Sequence, residues 1–127
     1  MKPKVLIVDD DRILARLWVL ELEMHGVDAI VASTIPDARQ MFHDNPDLSL
    51  IVVDACVPGN RPNTESLVQE FRMTFAGPMI GASSYPSYRP LMIRAGCNHA
   101  SDKPEMVERI IEVLKEHGLL PAQASDA

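Results

Sequence analysis

Acidic side chains follow two short apolar runs of the sequence. Asp9, Asp10 and Asp11 come directly after the run 5–8, and Asp54 comes directly after the run 50–53. Two carboxylates about 4 Å apart repel by roughly 4 kcal/mol at a typical effective dielectric. A cluster of three therefore needs a cation or a shared proton. Hard oxygen ligands of this kind suit Mg²⁺, which keeps several waters and bridges to phosphate.

Two further polar groups follow later segments of the chain. Ser83 comes after the weaker apolar run 78–82, and Lys103 stands before Pro104, where an amphipathic stretch begins. A carboxylate beside Mg²⁺ and an ammonium group is suited to attack phosphorus and form an aspartyl-phosphate. The metal and the ammonium would offset charge on the transferred group, and a hydroxyl would donate a hydrogen bond to the product.

Five short segments predict the strands that must position these groups. The runs 5–8 and 50–53 are unbroken and apolar, which is typical of strands buried on both faces. The segments 27–32 and 78–82 predict two more strands. The segment 98–101 is the weakest candidate, because it has little hydrophobic signal.

Amphipathic stretches between these segments predict helices. In the first, Ile13, Leu17, Leu20 and Met24 recur at helical spacing, and Gly26 provides a stop. Alternating strands and helices predict a parallel sheet covered by helices on both faces. Ligands bind such sheets beyond the carboxyl ends of the strands. The polar groups named above are therefore expected to meet in one cleft.

Taken in order, these motifs resemble the receiver domain of two-component response regulators. The segments that carry the resemblance are 5–11, 51–59, 80–83 and 95–104. The resemblance implies a flavodoxin-like, CheY-like α/β fold with a five-stranded parallel sheet in the order 2-1-3-4-5 and five helices. We expect a stand-alone, single-domain receiver over residues 1–118 and a loose tail over 119–127.

The resemblance also implies the ligands of a metal ion. Asp10 would bind Mg²⁺ directly, and Asp9 would hold it mainly through water. Asp54 and the backbone carbonyl of Cys56 would complete the set of protein ligands.

The same resemblance assigns the groups that meet the phosphoryl group. Asp54 would be the phosphoacceptor, Ser83 would bond a phosphoryl oxygen, and Lys103 would pair with the phosphate. The donor would be a histidine kinase or a phosphotransfer protein. The chain is not expected to be an enzyme beyond catalysing its own phosphorylation and dephosphorylation.

The sequence departs from the family pattern at two functional positions. The position three before the lysine is usually Tyr or Phe and is Ala100 here, so the usual aromatic switch has no ring to move. Tyr85 occupies a position that tunes dephosphorylation in the family. Its bulk is expected to shield an acyl phosphate from water. The span from Ser83 to Lys103 is slightly short, which predicts a short or distorted fourth helix.

Composition narrows the classes of partner. The 12 Lys+Arg against 18 Asp+Glu give a net charge of −6, and basic residues form no long run, which argues against direct nucleic-acid binding. No stretch approaches the roughly 18 apolar residues of a membrane span. We expect a cytoplasmic protein with reduced cysteines and an unknown output protein as partner.

Two other functions stay open from the sequence. A pseudo-receiver would keep the fold and bind a partner without phosphate, and Ala100 favours it. A small phosphatase of the haloacid dehalogenase type would use the Asp-x-Asp pattern of Asp9 and Asp11, although the chain is short for that family.

Overall fold

The computed structural model describes residues 2–59 and 61–121. The strands and helices alternate along the described chain, with a 3-10 turn at Pro86–Tyr88 before the fourth helix. The elements are β1 (Lys4–Val8), α1 (Arg12–Met24), β2 (Asp28–Ala32), α2 (Ile35–Asp44), β3 (Leu50–Asp54), α3 (Glu65–Arg72), β4 (Met79–Ala82), α4 (Arg89–Ala95), β5 (His99–Ser101) and α5 (Met106–Glu116). Of the predicted tail, residues 122–127 lie outside the described residues.

The five strands form one parallel sheet in the order β2-β1-β3-β4-β5, which confirms the predicted fold. In the centre of the sheet, Val8 of β1 is paired with Val53 of β3. The residues that follow this pair are Asp9 and Asp54. The register therefore brings both carboxylates to the same edge of the sheet.

The unbroken apolar runs are explained by two cores, one on each face of the sheet. Side chains along a strand point alternately to opposite faces. Leu6 and Val8 accordingly lie in one core, together with residues of α2, α3 and α4. Val5 and Ile7 lie in the other core, together with residues of α1 and α5. Both faces of β1 are covered along residues 5–8, so no polar residue interrupts this part of the strand.

Helix α1 forms where it was predicted, but its most regular apolar stripe faces solvent. The side chains of Ala15, Trp18 and Leu22 are the buried ones. The stripe that predicted the helix is exposed, and its members are Ile13, Leu17, Leu20 and Met24. The spacing identified the helix because both sides are apolar at a helical period. For the same reason it did not identify the inward face.

Helix α4 has seven residues, as the short span between Ser83 and Lys103 predicted. It lies very close to the sheet, because a Cβ placed on Gly81 would stand 2.5 Å from the Cβ of Met92. Among the residues described, no helix is both long enough and apolar enough to cross a bilayer.

Candidate functional site

Lys103 connects the two buried carboxylates at the carboxyl edge of the sheet. Its Nζ lies 3.0 Å from Oδ2 of Asp9 and 3.0 Å from Oδ2 of Asp54. Asp9 is 1% exposed and Asp54 is 5% exposed. The lysine stands in the loop after β5, so the ends of three strands meet at one ammonium group.

Local hydrogen bonds at the start of α1 orient the first acidic cluster. Oδ1 of Asp9 accepts the backbone N–H of Asp11 at 2.9 Å. Oδ1 of Asp11 accepts the N–H of Leu14 at 3.0 Å and so caps the helix. Asp11 therefore has a structural role at the rim, while Asp9 is turned into the site.

The backbone around Asp54 is held by a residue that sequence reasoning missed. The hydroxyl of Thr64 is fully buried and donates to the carbonyl of Asp54, with an oxygen–oxygen distance of 2.7 Å. Oδ1 of Asp54 accepts the N–H of Cys56 at 3.3 Å. Thr64 precedes α3 and reads as an ordinary helix cap in the sequence, yet its side chain caps no helical N–H. Nothing local indicated its partner ten residues earlier.

The loop after β3 closes on itself through Asn63. The side-chain oxygen of Asn63 accepts the N–H of Val57 at 2.8 Å, and its amide nitrogen donates to the carbonyl of Val57 at 2.7 Å. This pair of bonds bridges the loop from Val57 to Asn63. The loop therefore holds a defined path beside Cys56.

The electrostatics of the site are dominated by burial of like charges. Burial and the neighbouring Asp9 raise the pKa of Asp54 to about 6, despite the opposing effect of Lys103. Burial lowers the pKa of Lys103, but attraction to the two carboxylates outweighs it and the net direction is up. Lys103 is therefore cationic, and Asp54 sits in a site that holds more negative charge than one ammonium neutralises.

The carboxylates of Asp9, Asp10 and Asp54 fit a divalent cation. Each offers an oxygen, and these oxygens lie within 4.8 Å of one another. A donor set made only of oxygen atoms is the kind that Mg²⁺ and Ca²⁺ prefer. Burial also raises the pKa of the Cys56 thiol, so that side chain stays neutral and is a poor metal ligand beside these oxygens.

Ser83 is buried directly after β4 and lines a small cavity together with Asp54 and Lys103. Its Oγ accepts the N–H of Tyr85 at 3.0 Å. Arg89, a second residue that sequence reasoning missed, donates from Nε and Nη2 to the Ser83 carbonyl at 3.3 and 3.1 Å. A cavity of about 70 Å³ joins these groups, and its lining is Asp54, Cys56, Gly59, Ser83, Ser84, Tyr85 and Lys103.

Ala100 and Tyr85, the two positions that depart from the family pattern, lie on different elements near Ser83. Ala100 is half-buried on β5 and is paired with Gly81. Tyr85 is 51% exposed at the mouth of the cavity, with its ring centroid 5.3 Å from that of Tyr88. The β5 position therefore carries only a methyl side chain, whereas an aromatic ring lines the cavity at position 85.

No family model matches the chain. A similar curated protein is the transcriptional regulatory protein CpxR of Escherichia coli K12, with 33% identity over 118 residues. CpxR of Klebsiella pneumoniae is 32% identical over the same length. Each match covers 88% of this chain and 49% of the relative. The chain thus spans about half the length of the curated relatives that it matches.

Solved structures share the fold. A CheY-like response regulator receiver domain from Methanospirillum hungatei superposes with a TM-score of 0.75 at 19% identity, over 93% of this chain and 98% of that one. A response regulator protein from Burkholderia pseudomallei was solved with a phosphorylated aspartic acid and a calcium ion. It superposes with a TM-score of 0.77 at 19% identity, over 89% of this chain and 66% of that one.

Proposed function

We propose that the chain is a receiver domain of the response regulator type and that it accepts a phosphoryl group on Asp54; its fold and its similarity to response regulators support this. The donor is a phosphohistidine of a histidine kinase or a phosphotransfer protein. One observation carries the proposal: the buried carboxylate of Asp54 lies at the end of a central strand, 3.0 Å from Lys103 and within 4.8 Å of carboxylate oxygens of Asp9 and Asp10.

The proposed step moves one phosphoryl group between two residues. A carboxylate oxygen of Asp54 attacks phosphorus, the phosphorus–nitrogen bond of the donor breaks, and the imidazole nitrogen keeps the electron pair. Lys103 pairs with the phosphoryl oxygens. The Ser83 oxygen already accepts the N–H of Tyr85, so its own proton is available for donation to the bound group.

The metal ligands in this proposal are Asp9, Asp10, Asp54 and the backbone carbonyl of Cys56. Mg²⁺ bound there would offset negative charge on the transferred group. The excess of carboxylate over ammonium in the site supports this part of the proposal. So does the response regulator protein from Burkholderia pseudomallei, whose structure contains a phosphorylated aspartic acid and a calcium ion.

The wider biology follows from the domain type. We propose a cytoplasmic signalling protein that acts on an output protein and not on a separate enzymatic substrate. The net charge of −6 opposes direct contact with nucleic acid. The curated relatives are transcriptional regulators about twice as long, so the output lies in a region or partner beyond the matched span.

Mass spectrometry of the intact protein tests the proposal. The chain is incubated with phosphoramidate, with 10 mM Mg²⁺ or with EDTA, and a mass gain of one phosphoryl group is expected with Mg²⁺. Asp54→Asn should lose the gain, whereas Asp47→Asn on the far side of the molecule should keep it. No gain in the wild type, or an equal gain in Asp54→Asn, would overturn the assignment.

A pseudo-receiver is the second candidate, because Ala100 leaves β5 without the usual aromatic side chain. It would bind its partner with or without phosphate. Partner capture by wild type and by Asp54→Asn, each with and without phosphoramidate, separates the two functions. Equal capture in all four cases favours the pseudo-receiver, and stronger capture in phosphorylated wild type alone favours the phosphorylated receiver.

A further inference from the structure

The solvent face of α1 carries a concentrated apolar stripe. Its members are exposed by 79% (Ile13), 58% (Leu17), 47% (Leu20) and 86% (Met24). Among the described residues, eight large apolar side chains are exposed, and these four share one helix. Scattered exposed apolar residues need no explanation, but a contiguous patch marks an interaction surface.

The spacing within the stripe is that of a coiled-coil seam. The intervals are four, three and four residues, so the stripe matches alternating a and d positions over nearly two heptads. On a helix of 3.6 residues per turn these positions lie about 180° from the buried residues Ala15 and Leu22. The seam therefore points outward, and its four side chains are exposed among residues 2–59 and 61–121.

Charges beside the seam are arranged so that the surface complements itself. Arg16 and Glu23 are seven residues apart and so lie on the same flank. Both are exposed, and among residues 2–59 and 61–121 neither forms an ion pair within 4 Å. A two-fold axis across an antiparallel pair brings this flank against itself, with Arg16 of each copy near Glu23 of the other.

We propose that α1 is a homodimer interface, in which two copies of this chain pair their α1 helices antiparallel. The two-fold axis passes between Leu17 and Leu20, so Leu17 of one copy faces Leu20 of the other and Ile13 faces Met24. The surface is isologous, as expected of the commonest soluble oligomers. The proposal does not depend on phosphorylation.

Electrostatics select the antiparallel orientation over the parallel one. Asp11 caps the N-terminus of α1, next to the acidic cluster of Asp9 and Asp10. Parallel helices would bring two such clusters and two like helix-dipole ends together. Antiparallel helices separate the two sites by about the 20 Å length of the helix and leave both open.

The expected dimer is weak. A seam of two heptads buries less than the roughly 1,200 Å² of a standard stable interface, so we expect a dissociation constant on the order of 10–100 µM. Sedimentation equilibrium of the full chain between about 5 µM and 1 mM should show the mass rising from 14.1 kDa toward twice that value.

Two aspartate substitutions give a matched pair for the seam. Leu17→Asp should abolish the rise in mass, because it buries a charge at the centre of the interface. Met73→Asp should leave the rise unchanged, since Met73 is 84% exposed and lies outside α1. Circular dichroism and thermal melting check that both variants stay folded. A mass of 14.1 kDa at 1 mM in the wild type, or equal loss in both variants, would overturn the proposal.

Charge swaps test the geometry. Arg16→Glu should weaken the dimer about 5- to 20-fold, because two attractive pairs become repulsive. Adding Glu23→Arg should restore it, and adding Glu21→Arg should not. Rescue by Glu21→Arg would instead assign a parallel pair. If the wild type stays monomeric and Leu17→Asp blocks phosphorylation by a kinase, the stripe is a kinase-docking surface and the homodimer is wrong.

Discussion

At the scale of single residues, the site is a place where fold stability and function conflict. Asp9 and Asp54 are nearly inaccessible to solvent, and the single ammonium group of Lys103 forms an ion pair with both. A stable core would replace such an arrangement with apolar side chains. The fold is therefore expected to gain stability whenever the excess negative charge is removed.

Substituting Asp54 by Asn tests this conflict through its pH dependence. The folded-state pKa of Asp54 is raised to about 6 from an ordinary 3.8, so the native state binds more protons between these values and wild-type stability falls as the pH rises through them. In EDTA at pH 7, Asp54→Asn should raise the free energy of unfolding by about 1–2 kcal/mol, as measured by urea denaturation. The gain should vanish near pH 4.

The matched control is Asp47, whose pKa is lowered by its hydrogen bond to Lys4. Asp47→Asn should lower the free energy of unfolding, and this loss should appear above pH 4, where the Asp47 carboxylate is charged. A gain for Asp54→Asn that is equal at pH 4 and pH 7 would contradict the electrostatic account.

Tyr85 is predicted to set the lifetime of an acyl phosphate. Its ring stands at the mouth of the cavity that holds Asp54 and Lys103. Tyr85→Ala should open the path for water and shorten the half-life of the phosphorylated protein roughly 3- to 10-fold, equivalent to about 1 kcal/mol in the barrier. Loss of label after removal of the phosphodonor measures this half-life. Tyr88→Ala is the control, and an unchanged half-life in Tyr85→Ala would remove the shielding role.

The residues that meet at the sheet edge were predictable, but their supports were not. Asp9, Asp54 and Lys103 follow strand ends, and parallel strands must bring such positions together. Thr64 and Arg89 donate to the backbone carbonyls of Asp54 and Ser83, and a residue of any type could supply those carbonyls. Sequence pattern carries no signal for such bonds. The chemical roles of the site residues stay predictions.

At the scale of elements, α1 shows what periodicity does and does not determine. Its two apolar sides both repeat at a helical period, so the helix was predicted and its inward face was not. Packing decided the face: Ala15, Trp18 and Leu22 are the residues of α1 buried in one core with residues of the sheet and of α5. The surplus apolar side is what the proposed homodimer uses.

Arg72 connects several elements whose own sequences are weak. Its guanidinium donates to the carbonyls of Phe75, Gly77 and Gly96 and to the side chain of Asn98. It thereby joins the end of α3 to the loop before β4 and to the turn between α4 and β5. This explains why the three-residue strand β5 forms despite its small hydrophobic signal.

Removing these bonds should destabilise the fold strongly. Arg72→Ala leaves carbonyl groups without their partner and should lower the free energy of unfolding by about 2–4 kcal/mol. Arg72→Lys should recover less than half of the loss, since a lysine cannot reproduce the planar fork. Urea denaturation measures both. As a control, Arg39→Ala removes an exposed pair with Glu70 and should cost less than 1 kcal/mol. Equal effects of Arg72→Ala and Arg39→Ala would contradict this role.

At the scale of the whole molecule, the strand order followed from the family resemblance and not from periodicity. Alternating strands and helices fix a parallel sheet, but several strand orders satisfy that pattern. The order β2-β1-β3-β4-β5 makes β1 and β3 neighbours, which is what places Asp9 beside Asp54. The topology thus creates the site.

Binding of Mg²⁺ should stabilise the whole domain. A ligand that binds the folded state at ten times its dissociation constant adds about 1.4 kcal/mol, which corresponds to roughly 3–6 °C in Tm for a domain of this size. Thermal melts of the wild type with increasing Mg²⁺ should show this rise, and Asp10→Asn should suppress it. Asp28→Asn, on the edge strand β2, is the matched control. An equal rise in Asp10→Asn would show that the ion acts elsewhere.

The most direct test of the central claim is to locate the phosphoryl group. After reaction with phosphoramidate and Mg²⁺, borohydride reduces an acyl phosphate to an alcohol and so converts the modified aspartate to homoserine. Peptide sequencing by mass spectrometry then reads its position. The account predicts homoserine at position 54 alone. Homoserine at position 9 would indicate the phosphatase-type nucleophile instead. Its absence from positions 9, 10 and 54 would contradict a phosphorylated receiver.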